Sequence, residues 1–295
     1  MMTLNCQAEG AADGPIGRKL CFYGAGSMAE AIVRGLISAG LAKPADIVMF
    51  NRANAARLDE LRARYGVGTA ADDKAREQAL READVIFLCM KPKDAADALR
   101  RLSPVLRDRQ LLISVIAGLS IAAIEQLIGR RLPIARTMPN TSSTIGLGAT
   151  GISFNDAASD AQRELVLNMF RAIGIARVVD ESLINAVTAV SGSGPAYLYY
   201  MMEAMIDTAV SLGLAEDTAR ALTVQTVLGA ARMVLETGEE PAELRRKVTS
   251  PGGTTQAAIE TFERLDFRGA VGQAMRRAAE RAGEMGAELE RSIES

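Results

Sequence analysis

The chain of 295 residues has no histidine and no tryptophan. Without imidazole it lacks the one side chain whose ordinary pKa lies between about pH 5 and pH 8. A Ser-His-Asp triad, a Cys-His pair, a His-ligated metal and an imidazole acid or base are all excluded. Cysteine is almost as scarce. Cys6, Cys21 and Cys89 are far apart and form no CxxC pair, which argues against a disulfide framework and against a zinc site. The cysteine pattern predicts a cytoplasmic location and no bound metal. A formal charge of -2 lacks the basic excess of a nucleic-acid partner. No apolar run approaches the roughly 18 to 20 residues that span a bilayer, so no membrane segment is expected. The first residues show no basic stretch leading into an apolar one, so they do not read as a secretory signal.

What is present is an ordinary globular balance: 48% hydrophobic and 24% charged residues. The length suggests two domains of about 150 residues each. A chain of this size can bury about 75% of its unfolded surface and needs no staples. Residues 1–18 read as a loose tail.

From Lys19 the pattern alternates. Lys19–Tyr23, Ile47–Phe50, a short piece near Val67, Asp84–Met90, Leu111–Val115 and Pro133–Arg136 read as buried strands. Helical spacing fills Ser27–Ala39, Ala53–Tyr65, Asp94–Leu102 and the stretch from Ser120. Such alternation predicts βαβ units and a mostly parallel sheet. Ala161–Ile173 and Ala176–Val179 add one helix and a last strand; from Ser182 onward the periodicity is helical throughout. The expected fold is an α/β Rossmann-type domain over residues 19–179, followed by an all-α domain over residues 180–295.

Gly24-Ala25-Gly26-Ser27-Met28-Ala29 follows a strand, opens a helix and matches G-x-G-x-x-A. The first glycine allows the tight turn, the second lets backbone approach a pyrophosphate, and Ala29 permits close helix packing. The helix start then offers free N–H groups and its dipole to the anion. These residues are the expected dinucleotide site. At the end of the second strand an NAD enzyme usually carries Asp or Glu. Here stand Asn51 and Arg52, with Arg57 one turn on, and a base suits a 2'-phosphate. NADPH is therefore the favoured cofactor, with NADH as the alternative. Lys91-Pro92, Ala117-Gly118 and Pro139-Asn140-Thr141 each follow a strand; together they would line one cofactor crevice.

Two stretches interrupt the helical half. Ser191-Gly192-Ser193-Gly194-Pro195-Ala196-Tyr197 fits either a tight helix crossing or a wall beside a ligand. In Thr249-Ser250-Pro251-Gly252-Gly253-Thr254-Thr255, a threonine could cap the following helix, or the loop could cradle a carboxylate with open N–H groups. The Arg-rich runs (residues 57–64, 100–109, 130–131 and 245–247) read as solvated helix faces. Met201, Met202 and Met205 read as core or subunit interface.

Together these blocks resemble the Δ1-pyrroline-5-carboxylate reductases, NAD(P)H-dependent enzymes that make proline. The resemblance runs from residue 19 to about 285 and rests above all on Thr249–Thr255, with the glycine-rich turn, Lys91-Pro92, Met138–Thr141 and Ser191–Tyr197. It implies that the helical domain dimerises with a second copy and that the dimers assemble into a larger ring such as a decamer. Gly24 to Ala29 would hold the pyrophosphate, and Met90, Lys91 and Ala117 would line the cofactor. Ser250, Gly252, Gly253, Thr254 and Thr255 would hold the substrate carboxylate, with the Thr255 hydroxyl at the ring nitrogen as the catalytic group. Glu181 matches a family acid close to the substrate. Ser142 replaces the proline that the family usually has after Thr141, and Asp72-Asp73 stand about where many members place a cofactor-binding Asn.

The implied reaction is hydride transfer to the C=N carbon of 1-pyrroline-5-carboxylate, the carbon that becomes C5 of proline, a protonated imine being electrophilic without an acid from the protein. A reductase of another cyclic imine is one alternative. A 3-hydroxyacid dehydrogenase is a second, but the helical stretch Asn185–Gly213 lacks the Lys base such an enzyme would want. A non-catalytic nucleotide-binding scaffold is a third.

Overall fold

The computed structural model describes residues 16–294; residues 1–15 of the expected tail, with Cys6, lie outside the described residues. Ile16 already packs on the core, and its amide donates to the Leu41 carbonyl at 2.8 Å.

Eight strands form one sheet: β1 (Leu20–Tyr23), β2 (Ile47–Phe50), β3 (Gly68–Thr69), β4 (Val85–Leu88), β5 (Leu111–Ser114), β6 (Ile134–Met138), β7 (Gly148–Phe154) and β8 (Gly174–Val178). Their order is β3-β2-β1-β4-β5-β6-β7-β8. The pairings from β3 across to β6 are parallel, β7 runs antiparallel to β6, and β8 parallel to β7. This is the expected Rossmann-type sheet, extended by two strands. The helices of this part are α1 (Ser27–Ser38), α2 (Ala55–Tyr65), α3 (Asp73–Glu82), α4 (Pro92–Leu102), α5 (Ile121–Ile128), α6 (Asp160–Arg171) and α7 (Ile184–Val187).

The strands are apolar without alternation because both faces are covered. Leu20, Phe22, Val85 and Phe87 face a cluster with Ile32 and Leu36 of α1 and Phe170 of α6. Cys21, Ile86 and Leu88 face a second cluster with Leu99 of α4 and Ile124 of α5.

Two elements escape the sequence pattern. α3 is so polar that only Leu80 is buried, and Asp72 starts it by accepting the Ala75 amide at 2.8 Å. β7 carries glycines that weaken any strand signal. Packing requires them: a Cβ on Gly148 would sit 2.8 Å from the Ile173 carbonyl, and one on Gly151 2.7 Å from Val187.

The chain divides into two compact units, one reaching Ser193 and regaining the segment from Ala278, the other Gly194–Arg277. The strands stop near the expected domain boundary at 180, but α7 and the π-helical turn Thr188–Gly192 count with the sheet.

The second unit contains α8 (Gly194–Ser211), α9 (Glu216–Thr237), α10 (Pro241–Lys247), α11 (Thr254–Arg264) and the first part of α12 (Phe267–Glu294). No residue of α8 is buried, and in α9 only Ala219 and Thr223 are. Leu198, Tyr199, Tyr200, Met201, Leu222 and Leu235 are exposed, which leaves the interface reading for Met201. Helices this apolar and this bare need a further surface to cover them.

Candidate active site

Chain order reverses at β1, which lies between β2 and β4, so the crevice for a ligand opens at the carboxyl ends of β1 and β4. Gly24 ends β1 with φ of 118°, and a Cβ there would lie 2.9 Å from the Met90 amide nitrogen and overlap the Cys89 carbonyl. Its amide donates to the Phe50 carbonyl at 2.9 Å. The fold itself therefore demands Gly24.

Gly26 is different. Its φ of -79° suits any residue, and among the described residues a Cβ would meet nothing within 4 Å. No described side chain caps the α1 start that follows. Ala29 is buried and lets α1 press on the sheet. A glycine that the protein does not need, at an open helix start, fits a turn kept clear for a dinucleotide's pyrophosphate.

Beyond β2, Asn51 spends both ends of its amide on the turn: Nδ2 donates to the Asn54 carbonyl and Oδ1 accepts the Asn54 amide, each at 2.8 Å. Arg52 is 83% exposed and pairs only loosely with Asp94 at 2.9 Å, so its guanidinium is accessible to a phosphate. Arg57 is already engaged, with Nε on the Ala25 carbonyl at 3.2 Å, Nη1 on Glu60 at 2.7 Å and Nη2 on Glu30. Asp72 caps α3.

Met90 is half-buried at the mouth of β4, Lys91 is exposed at the N-cap of α4, and Pro92 opens that helix. Ala117 and Gly118 follow β5. Gly118 has φ of 80°, and a Cβ there would lie 3.3 Å from the Gly286 amide, because the last turns of α12 pack on this loop. Ser120 donates to Glu290 at 2.8 Å, and Arg100 donates to the Ile293 carbonyl at 2.8 Å. Leu289 and Ile293 are buried against α5. The sequence carries no sign of this return, since its glycines fall in an otherwise polar helix.

After β6, Asn140 donates to the Ser191 carbonyl at 3.0 Å and accepts the Ala149 amide at 3.2 Å. A Cβ on Gly192 would lie 2.8 Å from Met138 Cε. Ser191-Gly192 thus makes a tight crossing on the first unit. Glu181 accepts from Arg136 Nη1 and from the Ile121 amide, both at 2.8 Å on the same oxygen. In the sequence Arg136 carries no functional signal, being a single base inside an apolar strand.

In the second unit, Ser250–Gly253 forms a turn closed by the Gly253 amide on the Ser250 carbonyl at 3.0 Å. Gly253 is the N-cap of α11 and no described side chain caps it, so neither threonine takes that role. Thr254 and Thr255 stand in the first turn, where N–H groups are open. Gln256 bends back to accept the Gly252 amide at 2.7 Å. The loop has the makings of a carboxylate cradle.

The described cysteines Cys21 and Cys89 are free thiols, and burial pushes Cys21 up to about 12, so neither offers a thiolate. No helix among the described residues is long and apolar enough to cross a membrane.

A family model described as pyrroline-5-carboxylate reductase dimerisation matches residues 181–285, and one described as NADP oxidoreductase coenzyme F420-dependent matches residues 19–118. Pyrroline-5-carboxylate reductase 2 of Bacillus subtilis is 42% identical over 279 residues, covering 93% of this chain and 99% of the relative. The pyrroline-5-carboxylate reductase of Pseudomonas aeruginosa is 40% identical over 272 residues, covering 92% and 98%. Among solved structures, the pyrroline-5-carboxylate reductase of Coxiella burnetii has a TM-score of 0.85 at 40% identity, covering 91% of this chain and 98% of that one. The Plasmodium falciparum pyrroline carboxylate reductase, solved with NADP bound, has a TM-score of 0.82 at 28% identity, covering 92% and 100%.

Proposed function

Because the chain belongs to the pyrroline-5-carboxylate reductase family, and so reduces the C=N bond of 1-pyrroline-5-carboxylate to proline with NADPH, we propose how its own residues serve that reaction. Gly26, with the open start of α1, receives the pyrophosphate, and Arg52 receives the 2'-phosphate. Met90, Lys91, Pro92, Ala117 and Gly118 line the rest of the cofactor site. The observation that carries the placement is the Gly26 Cβ position, clear of the described residues although φ there suits any side chain.

NADPH supplies the hydride when bound. The protein's task is orientation and electrostatics. Open N–H groups of Ser250–Thr255 hold the carboxylate, the α11 dipole favours its charge, and the Thr255 hydroxyl oxygen accepts from the N–H of the protonated imine. Glu181 serves the substrate side through the loop it anchors. The imine arrives protonated, which is why a chain without histidine suffices.

The chain is a homo-oligomer through its dimerisation domain. We take residues 19–179 and 180–295 as the nucleotide and dimerisation domains and extend the dimer to a larger ring such as a decamer. The free thiols support a reducing, cytoplasmic location.

Absorbance of NADPH and of NADH, followed with five- and six-membered cyclic imino acids, tests the assignment. Oxidation of NADPH by 1-pyrroline-5-carboxylate is expected. Binding of NADPH without turnover on any cyclic imine would overturn it.

A further inference from the structure

We propose that Arg57 is a positioning residue for the dinucleotide: by holding the Ala25 carbonyl it aims the Gly26 N–H at the anion. Arg57 Nε donates to that carbonyl at 3.2 Å. In a trans peptide the C=O and the following N–H point in opposite directions. Fixing the Ala25 oxygen on one side therefore directs the Gly26 N–H to the other, away from the guanidinium.

The guanidinium is itself immobilised. Nη1 bonds Glu60 at 2.7 Å and Nη2 bonds Glu30, and the side chain is 21% exposed. Glu30 lies in the first turn of α1 and also accepts from Arg64 at 2.9 Å and from the Tyr65 hydroxyl at 2.7 Å. An acid so near the expected anion would repel it, but here two guanidinium groups offset its charge and the Tyr65 hydroxyl adds a third hydrogen bond. The Arg57 amide is held in turn by Asn54 Oδ1 at 3.0 Å, and Asn54 by Asn51. One chain of contacts thus runs from the end of β2 to the peptide that must face the pyrophosphate. Arg57 also leaves the 2'-phosphate to the exposed Arg52, since each of its three side-chain nitrogens already donates to a neighbour.

This inference rests on the proposed placing of the pyrophosphate at Gly26, and the two can fail separately. Dissociation constants for NADPH and NADH would be measured by nucleotide fluorescence on the intact oligomer, with thermal melts alongside. In Arg57→Lys the charge stays but the fork is lost. Both constants should rise by the same factor, about tenfold, as expected for losing a charge-assisted bond. The KM for NADPH should rise while kcat at saturating cofactor holds. A rise confined to NADPH would make Arg57 a 2'-phosphate ligand and overturn the proposal. Unchanged constants with a lowered melt would make it purely structural and overturn it too. Should Arg57→Lys fail to fold, Glu30→Gln reads the same brace, with a smaller but equal rise expected and unequal or absent rises counting against it. If Gly26→Ala leaves both constants unchanged, the pyrophosphate placement falls. If Gly26→Ala weakens both but the Arg57 variants do not, only the role of Arg57 falls.

Discussion

Arg136 and Glu181 form an ion pair at 2.8 Å, with side-chain exposures of 10% and 33%, and the Glu181 oxygen that accepts it also accepts the first amide of α5. One carboxylate oxygen thus joins β6, the turn after β8 and the helix that follows the Ala117-Gly118 loop. Glu181→Ala would leave Arg136 buried without its partner. Discounted for the exposure of Glu181, the expected loss is about 1–3 kcal/mol in urea unfolding. Arg136→Ala combined with Glu181→Ala should cost less than the sum of the two, and strict additivity would show that the pair contributes nothing.

Gly24 and Gly26 are glycines for different reasons, and alanine separates them. Gly24→Ala meets both a positive φ and the Cys89 backbone, so the melt should fall by the equivalent of about 2 kcal/mol or more. Gly26→Ala meets neither, so its melt without nucleotide should match the parent while NADPH affinity drops. Equal melts for the two variants would refute the distinction.

Thr255 should matter to turnover and not to cofactor binding. Thr255→Val removes the hydroxyl at nearly constant shape. The kcat is expected to fall by roughly 100-fold or more, the scale for one oriented hydrogen-bonding group, with the NADPH dissociation constant unchanged. Thr255→Ser should retain most of the rate, and unchanged turnover in the valine variant would remove Thr255 from the mechanism.

The exposed apolar side chains of α8 and α9 predict how the oligomer can be broken. Tyr200 is 77% exposed and Leu222 56% exposed. Placing Asp at both positions should shift the mass in light scattering towards monomer, because a charge buried without a partner is costly. An unaltered mass would locate the subunit contact elsewhere.

Acid should destabilise the protein in part through Glu30, whereas neutral pH should leave its stability flat. Burial raises the Glu30 pKa, but hydrogen bonds from Arg57 and Tyr65 outweigh it and hold the carboxyl below its ordinary range. A group depressed in the folded state stabilises above its unfolded pKa, and that contribution is lost as pH falls through the folded value. Stability should therefore drop below about pH 4, less steeply in Glu30→Gln. From about pH 5.5 to 7.5 no side chain with an ordinary pKa titrates, so the urea midpoint should stay level. A step near pH 6.5 would contradict this reading.

Much of this protein was legible in its residues. Strands buried on both faces are continuous apolar runs, so β1, β2, β4 and β5 stood out. The glycine-rich turn and the loop before α11 are recognisable because a tight turn or a helix start restricts residue type over adjacent positions. The tertiary structure alone decided what depends on distant partners. It showed β7, whose glycines answer to Ile173 and Val187, and the return of α12 to Gly118, where two backbones meet. It committed Glu181 to Arg136 and Arg57 to the Ala25 carbonyl. The reason is common to all four: an arginine, a glutamate or a glycine carries in its own neighbourhood no record of which remote carbonyl, carboxylate or backbone the fold will bring against it.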